Sequence, residues 1–308
     1  MIITLPHTTT RTISKTLVKH QEDYAMATGR VLTLIVVADA GDDIDAILSA
    51  VRDASHEHPS RVLVVLSNHD SQDSLLDAKV LFGGDSGASE TVVMTLHGAM
   101  ADHPASLVTP LLLPDTPIVA WWPTQAPEDP SAHPIGEIAQ RRITNTREGL
   151  DGAALQRLTA SYRPGDSDMM WSRITSWRGI LASAVDRPPH DAIDSVTICG
   201  SRDPSVDIAA GWLANRLGVP VERVVAKQEN PELFPIYSTT INRASGAVVI
   251  EATASRTIRV RVPGQPPAQV AMDQRSTADC LAEELRHLDP DLAYASALFA
   301  IREVTVTS

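Results

Sequence analysis

Hydrophobic positions along the chain fall into two successive strand–helix–strand patterns. Residues 30–38 (RVLTLIVVA) are a continuous β-branched run, as in a strand buried on both faces. Asp42 and Asp43 follow, and Ile44, Ile47, Leu48 and Val51 then recur at helical spacing. The two carboxylates suit the positive end of a helix dipole. After Pro59, residues 61–66 (RVLVVL) repeat the buried-strand pattern. Strand, helix and strand in such quick succession predict a βαβ unit and a parallel sheet. Residues 91–96 (TVVMTL) and 117–122 (PIVAWW) read as further strands.

Between the two patterns, residues 166–186 set Met170, Ile174, Trp177, Leu181 and Val185 on one helical face. This predicts a single long helix with Asp166 or Asp168 as its N-cap. Pro188 and Pro189 end it, which puts an N-terminal α/β domain with a helical extension at 1–187 and a C-terminal α/β domain at 188–308. The second unit starts at once. SVTICG (195–200) is a strand, Asp203-Pro204 a helix start, Gly218 a C-cap, and VPVERVV (219–225) the next strand. Ile208, Ala209, Trp212 and Leu213 face its core. Residues 236–242, 247–253 and 257–262 alternate instead, as in an antiparallel meander. Ser276 and Asp279 open a final helix carrying Leu281, Leu285 and Leu288. The predicted class is α/β in two domains, each a mainly parallel or mixed sheet flanked by helices, the second closing with the meander and a C-terminal helix.

Composition removes several functions. Lys and Arg number 26 against 38 Asp and Glu, a formal charge of −12, which repels nucleic acid and anionic membrane. No apolar stretch approaches the roughly 20 residues of a membrane span, and the first fifteen residues lack the apolar core of a signal peptide. Cys199 and Cys280 are the only cysteines; they fit buried thiols in a reducing, cytoplasmic setting, with a regulatory disulfide as the alternative.

Candidate chemistry is sparse. The chain contains no G-x-x-x-x-G-K-[ST], no G-x-G-x-x-G after either strand, and no H-E-x-x-H, C-x-x-C or G-x-S-x-G. Gly84-Asp85-Ser86-Gly87 resembles the nucleophile motif of trypsin-like proteases, but too little chain precedes it to supply the partners. The Gly83–Ser89 loop reads instead as a glycine-rich turn or an anion site through Gly83, Gly84 and Ser86, as does the turn at Gly200, Ser201 and Arg202. His56-Glu57-His58 reads as surface at a helix end rather than a metal site. Arg141 and Arg142 read as a solvated face or as contacts to a phosphate or an acidic partner. Strand alternation turns one of Trp121 and Trp122 outward, to be covered by the 124–135 loop or by another protein. No catalytic residue, metal or cofactor is expected.

The runs GRVLTLIVV (29–37), EHPSRVLVV (57–65), GGDSGASE (83–90), TPLLLPDTPIVAWWP (109–123), IAQRRIT (138–144), WRGILAS (177–183), SVDIAAGWLANRLGVPV (205–221) and CLAEELRHLDPDL (280–292) resemble the glucose-6-phosphate dehydrogenase assembly protein family, OpcA, in its actinobacterial form. The resemblance spans nearly the whole chain in order. It implies a non-catalytic protein partner of glucose-6-phosphate dehydrogenase that promotes the assembled or activated oligomer, and hence NADPH production in the pentose phosphate pathway. On that reading, Trp121, Trp122, Arg141 and Arg142 are the expected interface. The alternative is a sugar-phosphate or nucleotide-binding enzyme or sensor that uses one of the two glycine-containing loops.

Overall fold

The computed structural model describes residues 1–21, 31–83, 90–147, 153–228 and 230–307. The chain forms two compact units, and the division is not a single cut: unit 1 takes residues 1–169 together with 277–290, and unit 2 takes 170–276 and 291–308. Each holds a mixed sheet with helices against it. The 187/188 position expected from the proline pair lies inside the second unit.

Unit 1 is built on β1 (Ile2–Leu5), β2 (Leu32–Asp39), β3 (Ser60–Asn68), β4 (Leu76–Leu81), β5 (Glu90–His97), β6 (Ile118–Trp121), β7 (Arg141–Thr144) and β8 (Asp166–Asp168). Their order is β1-β4-β5-β3-β2-β6-β7-β8. From β5 to β8 every neighbouring pair is parallel, whereas β4 and β1 are added antiparallel. Numbered by appearance, the parallel strands follow the 3-2-1-4-5-6 order of a doubly wound nucleotide-binding sheet. The predicted βαβ unit is present. Its helix α2 (Ile44–Ser55) is capped by Asp43, whose Oδ1 accepts from the Ala46 N–H at 3.0 Å. Ile47 and Val51 are buried beneath it. α1 (Thr10–Gln21) buries Ile13 and Leu17 in the core formed by Leu63, Val65, Val80 and Met94. Between β3 and β5 the chain inserts β4 where a crossover helix would ordinarily lie.

The expected long helix over 166–186 is a strand followed by two short helices. β8 takes 166–168, α6 spans Met169–Arg173, and α7 spans Thr175–Val185. The two carboxylates are drawn into the sheet rather than to a helix start. Asp166 pairs with Arg142, while Asp168 accepts from the Thr144 hydroxyl at 2.6 Å and from the Thr146 N–H and hydroxyl at 3.1 Å each. Buried cation and hydroxyl partners outweigh a cap on α6 worth about 1 kcal/mol.

In unit 2, β9 (Ile193–Gly200), α8 (Pro204–Leu217) and β10 (Val221–Val225) form the second predicted βαβ unit. Asp203 caps α8 through the Ser205 N–H at 2.9 Å, and Gly218 closes it in the left-handed region at φ 63°. The meander is β11 (Ile236–Arg243), β12 (Val248–Ala254), β13 (Thr257–Arg261) and β14 (Ala268–Ala271), all antiparallel. The sheet order is β14-β13-β12-β11-β9-β10-β15, where β15 (Thr305–Thr307) pairs parallel to β10. α9 (Thr277–Arg286) follows the meander but packs on α2 in unit 1, whereas α10 (Leu292–Ala300) packs on α8 in unit 2.

Candidate functional site

In a doubly wound sheet, ligands collect where the strand order reverses, at the carboxyl ends of the strands. Here that point lies between β2 and β6, and the turn from β2 into α2 reads Asp39-Ala-Gly-Asp42-Asp43-Ile-Asp45. A dinucleotide pyrophosphate would need this turn's N–H groups. They are already engaged, the Ala40 N–H by the Ser67 carbonyl, the Asp42 N–H by the Asp39 carbonyl and the Asp39 N–H by a carboxylate. Asp42 Oδ2 accepts from the Asp39 N–H and from the Thr124 hydroxyl, both at 2.8 Å, and Asp43 caps α2. A phosphate about 4 Å from one carboxylate would meet a repulsion of about 4 kcal/mol at a partly exposed site. The residues at this point do not fit a dinucleotide phosphate.

The four interface candidates are interior. Trp121 and Trp122 are 0% and 2% exposed, and Arg141 and Arg142 are 3% and 7% exposed. Trp121 Nε1 donates to Met169 Sδ at 3.2 Å. Trp122 meets the His133 ring edge-on, with centroids 5.4 Å apart, so the 124–135 loop supplies the cover that the sequence left open. Both faces of β6 are covered, so neither indole is exposed. The arginines find their acids within unit 1. Arg141 Nη2 donates to Glu284 Oε2 of α9 at 2.6 Å, and its Nη1 donates to the Asp289 carbonyl at 3.0 Å. Ser167 donates to the same Glu284 oxygen at 2.8 Å. Arg142 pairs with Asp166 and donates to the carbonyls of Ala139 at 2.9 Å and Pro164 at 2.7 Å. Burial raises the Asp166 carboxyl from its ordinary pKa, against the pull of Arg142.

His133 gives the cover loop a pH dependence. Its Nδ1 accepts from the Ile135 N–H at 3.1 Å at the start of α4 (Pro134–Ile138), a contact that requires an unprotonated nitrogen. Burial holds its imidazole below the ordinary 6.5. The neutral form is thus favoured by folding, so its contribution is complete above that value and is lost as pH falls through the lowered folded-state value. Acidification below pH 6.5 is expected to lower the melting temperature and disturb Trp122. His133→Asn, which keeps an acceptor but does not titrate, should flatten that part of the curve; thermal melts of both proteins across pH check it.

Of the anion-site candidates, Gly84 and Ser86 lie outside the described residues. Gly83 follows β4 with φ 68°. At the other turn, the Ser201 N–H goes to the Pro235 carbonyl at 3.0 Å and the Asp203 N–H to Ser201 Oγ at 3.4 Å, and Asp203 caps α8. The carbonyls of Gly200 and Ser201 accept from Arg223, whose Nε donates to Asp207 Oδ1 at 3.0 Å. An anion beside Ser201 and Arg202 would therefore compete with Asp203 for the helix start.

Two features escape the sequence reading. His58 Nε2 meets the Ala282 carbonyl at 2.9 Å and Glu57 pairs with Arg286 at 2.9 Å, so the His56-Glu57-His58 segment holds α9. Among the described residues no acidic, histidine or cysteine cluster suits a metal, and both cysteines are free thiols. The second feature is an open groove of about 930 Å³ on the α2 side of the sheet, over β4 and β5 and out to β1. It lies where the helix of a βαβ crossover would pack, a place no helix among the described residues takes. Its signal in the sequence is a helix with Ile44 and Leu48 at the edge of its apolar face.

No helix among the described residues is long and apolar enough to cross a membrane. Curated proteins return no match. Among solved structures, a biliverdin reductase from Synechocystis in complex with biliverdin and NADP+ aligns at 9% identity and TM-score 0.39, over 88% of this chain and 96% of that one. A myo-inositol dehydrogenase from Lactobacillus casei aligns at 9% identity and TM-score 0.40, over 89% and 93%. An oxidoreductase from Sinorhizobium meliloti aligns at 8% identity and TM-score 0.41, over 90% and 97%. Likenesses of this size carry nothing about chemistry. Family models are more specific. Residues 51–160 match the glucose-6-phosphate dehydrogenase subunit N-terminal domain, and residues 164–298 match its C-terminal domain. With both domains present in order, the chain belongs to the OpcA family of glucose-6-phosphate dehydrogenase assembly proteins.

Proposed function

We propose that this protein is a non-catalytic partner that binds glucose-6-phosphate dehydrogenase, promotes its assembled or activated state, and so supports NADPH production in the pentose phosphate pathway of the cytoplasm. The observation that carries this reading is the match to both domains of the dehydrogenase subunit family, over 51–160 and 164–298. The switch point supports a non-catalytic role, because Asp42 and Asp43 stand where a nucleotide phosphate would rest. The eight runs quoted above resemble the family in its actinobacterial form, and we include that branch in the proposal. An activator works by binding the active state of its target more tightly than the inactive one. A preference of about 1.4 kcal/mol shifts that equilibrium about tenfold.

The test is a titration of the purified protein into the dehydrogenase of the same organism, following NADPH formation and complex mass together. A saturable rise in rate with a heavier species is expected. An unchanged rate with no complex, across salt and substrate concentrations, would remove the partner reading. Turnover by the isolated protein would replace it with the enzyme alternative.

A further inference from the structure

The groove of unit 1 has the dimensions and polarity of a missing helix. β3 returns to β5 through β4, so among the described residues no crossover helix covers this side of β4 and β5. One wall is the flank of α2, where Ile44, Leu48 and Arg52 stack at steps of four beside Asp45 and Ser49. The floor is one face of the strands. In it Lys79 and Val93 are register partners, and Ile2 of the edge strand, 57% exposed, lies beside Leu81. A helix about 12 residues long and 10 Å wide is about 18 Å long and fills about 1,400 Å³. The groove's 930 Å³ would therefore hold roughly two-thirds of its girth and leave one side exposed.

Charge gives the groove a direction. Asp45, at the start of α2, and Asp77, in register with Thr95 near the end of β5, mark one end. Asp77 accepts from the His7 N–H at 2.8 Å, which is the main reason its carboxyl lies below the usual range; His97 Nε2, 3.2 Å from Asp77 Oδ2, adds to it. Lys79 and Arg52 lie toward the other end. A helix has a positive N-terminus and a negative C-terminus, so it fits with its start at Asp45 and Asp77 and its end at Arg52. That direction is parallel to α2 and antiparallel to β3 and β5, as in a βαβ crossover. The geometry points to this groove as the docking site for an amphipathic helix of about three turns supplied by the dehydrogenase, whose apolar stripe meets Ile44, Leu48 and Leu81. This inference rests on the partner reading above. It follows the helix-in-groove mode of recognition, in which apolar anchors give affinity and flanking charges set polarity.

Three variants test it, each first confirmed by circular dichroism and thermal melting to be folded. Leu48→Glu places a charge on the apolar wall, and Ser49→Trp fills the groove without charge. Lys79→Glu with Arg52→Glu removes the basic end. Calorimetric titration into the intact dehydrogenase should show Kd weakened at least tenfold by Leu48→Glu and by Ser49→Trp. The double charge variant should weaken binding and reduce its salt dependence. Binding and activation equal to the parent protein in all folded variants would overturn the groove while leaving the partner role standing. No binding by the parent protein itself would remove the partner role and the groove proposal together. If instead the variants only shift the protein's own sedimentation from dimer to monomer, the occupant is a second copy and the dehydrogenase helix is excluded.

Discussion

Replacing Glu284 by alanine is expected to destabilise unit 1 by about 3–5 kcal/mol, as breaking one side of a buried ion pair does. Both side chains of the Arg141–Glu284 pair are 3% exposed. Glu284 Oε2 also accepts from Ser167, so its removal orphans a hydroxyl as well as a guanidinium. Arg141 is ill placed to compensate, because its Nε already has no hydrogen-bond partner among the described residues. Only the Asp289 carbonyl would remain to it among the contacts described above. Denaturant titration, with hydrogen exchange read at β7, measures the loss. Arg141→Met combined with Glu284→Leu should recover most of it, since a buried pair exchanged whole for apolar groups of similar size is often neutral or stabilising. A loss below about 1 kcal/mol for Glu284→Ala would mean that the pair behaves as a surface pair.

The second large effect is expected from Gly136→Ala. A Cβ there would lie 1.7 Å from the Pro130 carbonyl oxygen and 3.3 Å from Arg142 Cδ. The first atom is backbone, so relief requires the loop or α4 to move by more than an ångström. Overpacking normally costs about 1–3 kcal/mol where side chains can rearrange. Here the obstruction is main chain, and a cost at the upper end of that range or beyond is expected. The readout is specific. The displaced segment carries His133, which covers Trp122, so the tryptophan emission should shift to the red under conditions in which the parent protein is native. An unchanged spectrum and melting temperature would show that the 124–135 loop moves freely.

The parallel core of each sheet was legible because its strands carry the hydrophobic run themselves. Residues 30–38 and 61–66 need no partner to announce a strand, and Asp43, Asp203 and Gly218 punctuate helices through local chemistry. Two of the elements that reading missed are defined by non-local contacts. β7 is Arg-Arg-Ile-Thr and β8 is Asp-Ser-Asp, and neither looks like a buried strand. They are buried because cation and carboxylate sit across from each other in register, Arg142 beside Asp166. One clue was available. In α9, Cys280, Leu281 and Leu285 define the apolar stripe, and Glu284 stands within it. A carboxylate in a core position demands a buried cation, and Arg141 is that cation. The same reasoning applies to Arg223 between Val221 and Val225. For the indole pair, strand alternation left two covers open, the 124–135 loop or another protein, and only the fold shows His133 of that loop against Trp122.

The return of α9 to unit 1 gives the order of synthesis a physical meaning. Arg141 leaves the ribosome long before Glu284, 143 residues later in the chain. For that interval, at the usual 5–20 residues per second, on the order of 10 seconds pass with a guanidinium that has no acid and a flank of α2 that has no cover. Closing so long a loop adds entropy to the barrier, and contacts of high sequence separation form late. A chain cut short before residue 277 keeps all eight strands of that sheet and still lacks the helix that completes its core. Synthesis of α9, rather than completion of the N-terminal half, supplies the last element of the first unit's core.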